Sequence, residues 1–163
     1  MENPLFYKKG EFSKPFRQKI LLIAYLGYGI ERYYSFKLKL AKEYNNFVSY
    51  VSRETTFLKS PVTEMIENYN FSSKELKNLL LNEVNGTFDE VDKCISKTLK
   101  DEVKLFMKEL CTSDFVGVKY VINNALEKSG MLVKEAENEK RQKGELARKV
   151  IILIGIGLII VLI

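Results

Sequence analysis

The sequence predicts an all-α protein, an antiparallel helical bundle that carries a C-terminal transmembrane helix. Three observations lead there. Apolar residues recur three and four positions apart and nowhere alternate over a strand's length. Stop and start signals divide the chain into helix-sized pieces. The last fourteen residues, VIILIGIGLIIVLI, hold no polar side chain. At 163 residues the chain is long enough for one modest core and too short for two ordinary domains. It divides into a basic extension with a short apolar, membrane-associated segment (1–30), a soluble helical domain (31–145) and the transmembrane helix (146–163).

Leu40, Tyr44, Phe47, Val51 and Leu58 share one face of a first long helix, which Ser60-Pro61 ends. Proline suits a first turn and serine a cap, so a short helix is predicted from Pro61 to about Tyr69. Ser72 with Glu75 reads as a capping box for a third helix through Leu76, Leu79 and Leu80, which Asn85-Gly86 stops. Thr87 with Glu90 caps a fourth, striped by Phe88, Val91, Ile95, Leu99, Phe106 and Leu110. Asn85-Gly86-Thr87 also fits a glycosylation acceptor, but the stop-and-start reading explains it without one. Thr112-Ser113-Asp114 opens the last helix, where Phe115, Val118, Ile122, Ala125, Ser129, Leu132 and Ala136 form a heptad-like seam. This helix is expected to run through the charged residues 137–149 into the anchor, with Gly130 as its weak point.

The anchor consists of Val150, Ile151, Ile152, Leu153, Ile154, Gly155, Ile156, Gly157, Leu158, Ile159, Ile160, Val161, Leu162 and Ile163. As a helix it spans about 21 Å, short of a hydrocarbon core of roughly 30 Å. It is apolar all round, so it has no stripe to show to water. Lys140, Arg141, Lys143, Arg148 and Lys149 form a basic membrane flank, and Arg148 and Lys149 can snorkel while the helix extends to Leu146. Twelve aliphatic residues at insertion-scale values favour the bilayer by roughly 4 to 7 kcal/mol as an upper bound. The flank places the body on the cytoplasmic side. The other apolar run, Ile20 to Ile30, is only about 17 Å long as a helix. Three placements stay open for it: interfacial or partly embedded, buried in the body, or spanning.

Net charge is +5, from 26 basic and 21 acidic residues. Residues 1–19 carry a surplus of three and residues 134–149 a surplus of two, leaving residues 20–133 balanced. The excess therefore lies beside the two most apolar stretches, which suits anionic headgroups and argues against a nucleic-acid partner. Cys94 and Cys111 are too far apart for a C-x-x-C motif and are expected to be buried or half-buried thiols. The chain has no histidine, which excludes His-dependent catalysis and leaves a Cys/His zinc shell two ligands short. It has no glycine-rich phosphate cradle either. Carboxylates such as Asp89, Glu90 and Asp92 sit at a helix start, where the helix dipole alone explains them. The expectation is a non-enzyme with no cofactor, metal or small-molecule substrate.

One segment is more specific. Val51-Ser52-Arg53-Glu54-Thr55-Thr56-Phe57-Leu58-Lys59-Ser60-Pro61-Val62-Thr63-Glu64-Met65-Ile66 resembles the stretch L-E-T-E-I-x-Y-x-x-T-P-L-x-E-A-L of stage III sporulation protein AB, a family of endospore-forming bacteria. Leu110-Cys111-Thr112-Ser113-Asp114 is similar to that family's L-G-x-S-D turn, with Cys111 in place of glycine. Gly27-Tyr28, Glu135-Ala136, Glu139-Lys140 and the apolar ending with Gly155 and Gly157 also resemble it, in order. The charged extension Met1 to Lys19 and the shortened first apolar run depart from it. The resemblance implies a type II secretion F-like cytoplasmic domain within the mother-cell membrane complex that links mother cell and forespore. It implies docking of that complex's cytoplasmic ATPase, with other membrane subunits and membrane lipids as further partners. It makes Glu54, Pro61 and Glu64 candidate partner-binding residues, whose plainer role is to shape a helix corner. Without the resemblance, the chain reads as a tail-anchored interaction protein whose seam pairs with a partner helix. A membrane enzyme acting on lipid lacks support in the sequence.

Overall fold

The structure is a computed structural model that describes residues 13–57, 61–87 and 95–162. Among the described residues every regular element is helical, as the apolar spacing predicts. Helix α1 (Ser13–Phe57) is 45 residues long, about 68 Å. It is followed by α2 (Val62–Asn68), α3 (Lys74–Asn85), α4 (Lys97–Thr112) and α5 (Phe115–Glu139). A π-helical turn over Lys140–Gly144 then leads without a break into α6 (Glu145–Leu162).

The hydrophobic core gathers around the C-terminal half of α1. Tyr44, Phe47, Val48 and Val51 pack there with Met65 and Ile66 of α2 and Leu76, Leu79 and Leu80 of α3. Val103, Phe106 and Met107 of α4 and Val121, Ile122 and Ala125 of α5 complete it. Beyond this cluster, α1 and the α5–α6 path continue side by side as a two-helix stalk.

Local chemistry explains the corners. Gly86 ends α3 with φ at 66°, the left-handed cap that glycine adopts without strain, and its N–H donates to the Asn82 carbonyl. Ser96 caps α4 by accepting from Leu99 N, and Asp114 caps α5 by accepting from Gly117 N at 2.8 Å. On α5 the seam turns inward as expected: Ile122, Ala125, Ser129 and Ala136 are all buried.

Several sequence expectations need correction. Helix α2 starts at Val62, with Pro61 at the N-cap position instead of in the first turn. The N-cap of α3 is Ser73, not Ser72, and its hydroxyl donates to the Glu43 carboxylate instead of capping the helix. Glu43 accepts from Ser72 N and Ser73 N as well, so a buried carboxylate on α1 takes the Ser72 N–H that Glu75 would have bonded in a capping box. Leu58, Ser60 and residues 88–94, with Cys94 and Glu90, lie outside the described residues. Thr87, expected to cap the fourth helix, bonds back to Asn82 at the end of α3, and α4 starts only at Lys97, with Ser96 as its cap. Cys111 is exposed and free where a buried or half-buried thiol was expected.

The transmembrane helix expected over 146–163 is the largest correction. Among the described residues, no helix is long and apolar enough to cross a membrane. The physical reason is length: α6 carries Glu145, Arg148 and Lys149 in its opening residues, and the uncharged remainder is about 20 Å long.

Candidate functional site

The partner of α6 is the first half of α1. Four pairings fix an antiparallel register along the whole path. Ser129 Oγ donates to Asn45 Oδ1 at 2.9 Å, Lys42 pairs with Glu137 at 2.8 Å, Lys37 pairs with Glu139, and Ile151 lies against Gly27. Each step toward the start of α1 is thus matched by a step toward the end of α6. The Ile20–Ile30 run and the apolar part of α6 come level with one another, two sides of one stalk.

The contact between them is close. A Cβ at Gly27 would overlap the Ile151 side chain, so glycine is what lets the aliphatic residue seat against the α1 backbone. Gly27 is buried in the contact, while its neighbours Tyr25, Tyr28 and Ile30 are exposed.

The π turn explains why Ile151 is the residue that points inward. Continued as a regular helix from Ala136, α5 would present positions 143, 147, 150 and 154 to α1. One extra residue, absorbed as a π turn, shifts the sequence along by one. Gly144 is accordingly buried, and Ile151 and Gly155 are half-buried. Leu146, Val150, Leu153, Ile154 and Ile156 are left facing outward.

The stalk's outer surface is therefore apolar on both arms. Tyr25 is 76% exposed and Tyr28 64%; opposite them Leu153 is 67% and Ile156 50% exposed. A contiguous apolar surface of this kind marks a contact with lipid or with another protein. Where stalk meets body the chemistry changes abruptly. Residues 140–149 carry five cations against Glu145 alone, and Arg141, Arg148 and Lys149 are exposed, as is Arg32 on α1. Within this collar Glu139 accepts from Lys37 and, at 3.1 Å, from Lys143, whose ammonium also lies 5.8 Å from the centre of the Tyr34 ring. The Lys37 hydrogen bond, aided by Lys143, holds the Glu139 carboxyl below the usual carboxylate range against the opposing pull of burial. Glu139 in turn raises the Lys143 ammonium.

The basic flank read from sequence is thus found in two pieces: Lys140, Arg141 and Lys143 in the π turn, Arg148 and Lys149 at the start of α6. Glu54, Pro61 and Glu64 fall on either side of the α1–α2 corner. Glu54 is half-buried in the last turns of α1, while Pro61 and Glu64 are exposed at the start of α2. No hydrogen bond or ion pair joins these three among the described residues. The seam of α5 is occupied by α1 of the same chain.

The glycine-to-isoleucine seat and the π turn escaped the sequence reading. Gly27 and Ile151 lie 124 positions apart, and only the small residues Gly144 and Gly155 on one inward face hinted at a close approach. In the body, burial raises the Glu102 carboxyl pKa, an effect that its 3.7 Å pair with Lys128 only partly offsets. The groove beside Lys39, Lys42, Asn46 and Tyr69 is open and shallow. Among the described residues no cluster could hold a metal ion. No protein-family model, curated protein or solved structure matches this chain.

Proposed function

We propose that the chain is a non-enzymatic membrane platform component, with a helical body held at a cytoplasmic membrane face by its apolar stalk. On this reading it belongs to the mother-cell membrane complex around the forespore that the stage III sporulation protein AB resemblance implies. The body resembles a type II secretion F-type domain in role, docks the complex's cytoplasmic ATPase, and passes that position to other membrane subunits. The observation that carries the reading is the division of one chain into two surfaces. The body has a closed core and balanced charge, while the stalk exposes aliphatic and tyrosine side chains below a collar of cations.

Two measurements test it. Full-length protein should sediment with membranes and resist an alkaline carbonate wash; recovery in the supernatant would refute the attachment. Glu54→Lys and Glu64→Lys should leave the helical circular dichroism unchanged and abolish co-purification of the ATPase. Undiminished co-purification would reduce both residues, with Pro61, to shapers of the corner. The tail-anchored interaction protein that zips through its α5 seam is the weaker reading, because Ala125, Ser129 and Ala136 are already buried against the chain's own helices.

A further inference from the structure

The apolar run of α1 is too short to cross a bilayer, and Tyr25, Tyr28 and Ile30 within it are exposed. We infer that residues 20–30 enter an anionic bilayer together with α6, the two arms inserting as one helical hairpin. This rests on the membrane attachment proposed above and goes beyond it, since α6 alone could supply attachment.

Three features carry the inference. The first is the seat of Ile151 on Gly27, which joins the arms over the stretch where each is most apolar. A lipid-embedded α6 therefore brings α1 with it unless that contact breaks. The second is exposure: the pairing covers only one face of each arm. Tyr25 and Tyr28 on one side, and Leu153 and Ile156 on the other, still face outward. Leaving such side chains in water is unfavourable by about 25 cal/mol for each Å² of apolar surface. The third is charge. The collar cations Arg32, Arg141, Arg148 and Lys149 are exposed at one end of the apolar surface, complementary to anionic headgroups. The uncharged stretch on α1 is about 17 Å long and has Lys14, Arg17 and Lys19 at its far end. The hairpin therefore seats in a locally thinned bilayer where those cations reach the opposite headgroups, with its exposed tyrosines available to the headgroup level.

The chain has no tryptophan, so single tryptophans report each arm separately. Tyr28→Trp and Leu153→Trp place the probe at exposed positions on α1 and α6, where neither disturbs the pairing. Full-length protein is mixed with vesicles of phosphatidylglycerol and phosphatidylcholine whose acyl chains are brominated. Both probes should shift to the blue and be quenched to a similar degree. Arg148→Gln with Lys149→Gln should weaken partitioning into anionic vesicles by about thirtyfold, on the basis of about 1 kcal/mol per cation, and affect neutral vesicles little. Quenching at position 153 with none at 28 overturns the hairpin and leaves α6 as a lone anchor. Quenching at neither position overturns both the hairpin and the attachment. A blue shift without vesicles, accompanied by a doubled mass in light scattering, assigns the apolar surface to a second copy and also overturns the inference.

Discussion

Ile151 of α6 occupies the space that a side chain at position 27 of α1 would need. The overlap involves the far end of the isoleucine, which can rotate, so the effect of substitution should scale with size. Gly27→Ala should be mild, and Gly27→Leu should force the arms apart. Spin labels at positions 25 and 153, in a background with Cys94 and Cys111 replaced by serine, measure the separation directly. The expected result is a wider, broader distance distribution for Gly27→Leu and near-native distances for Gly27→Ala. Native distances in the leucine variant would mean the seat does not hold the stalk together.

The π turn leads to a prediction that runs against the usual expectation for deletions. Its extra residue is what keeps Gly144, Ile151 and Gly155 facing α1. Deleting Gln142 converts the turn to regular helix and leaves those same residues on that face. The deletion should therefore preserve stalk distances and leave the melting temperature unchanged or slightly higher. Inserting an alanine after Gln142 turns α6 by a further 100° or so and should disrupt both. If the deletion proves as damaging as the insertion, the rephasing account fails.

Much of the body was legible because its signals are local. Asp114 and Gly86 act within one turn of their helices, and the α5 seam repeats at helical spacing, so each could be read without knowing what it packs against. What was not legible depends on distant partners. The hydroxyl of Ser73 is taken up by Glu43, thirty positions back, and no local rule shows that a capping box has been replaced by a carboxylate on another helix. The placement of Ile20–Ile30 stayed open for the same reason. Its apolar side chains have the same period whether they face lipid, the body or α6, and only the folded register shows that one face of the run meets α6.

Tyr44 contributes a prediction about stability. Its ring stacks edge-on to Phe106 in the core, and its hydroxyl is buried with no hydrogen-bond partner among the described residues. Burial, with the nearby Glu102 charge adding to it, pushes its phenol pKa far up. An unsatisfied hydroxyl costs about 1 to 3 kcal/mol of desolvation. Tyr44→Phe keeps the ring and removes that cost, so urea unfolding should show a gain of about 1 kcal/mol. A loss of stability would reveal a partner for the hydroxyl.

The same reasoning makes Glu43 a sensitive position. Its carboxylate accepts from two backbone N–H groups and a hydroxyl at the entry to α3. Glu43→Ala leaves those donors without a partner, and the expected loss is about 2 to 3 kcal/mol, most of it the penalty of the orphaned groups. Hydrogen exchange should locate the loss in the first turn of α3. Uniform exchange across the body would argue that Glu43 supports the whole core instead.

Two carboxylates should give stability profiles of opposite sign. The Glu139 pKa lies below the ordinary 4.5 because Lys37, with Lys143, favours its charged form. Its contribution is thus fully present above that value and is lost as pH falls through the still lower folded-state pKa. Glu139→Gln should cost up to about 1 kcal/mol at pH 7, in keeping with a partly exposed pair, and the difference should close in strong acid. The Glu102 pKa lies above 4.5, chiefly because burial disfavours its charge, despite the opposing pull of Lys128. Its ionised form therefore opposes folding at neutral pH, and the penalty disappears as the group protonates. Glu102→Gln should stabilise the protein by a few tenths of a kcal/mol or more at pH 7, a size typical of changes in such partly exposed pairs, and have no effect near pH 3. Unfolding midpoints of the two variants, taken across this range, should lie on opposite sides of the native protein at pH 7 and converge with it in acid. Curves on the same side would mean that one balance is reversed, with Lys128 outweighing burial at Glu102 or burial outweighing the lysines at Glu139.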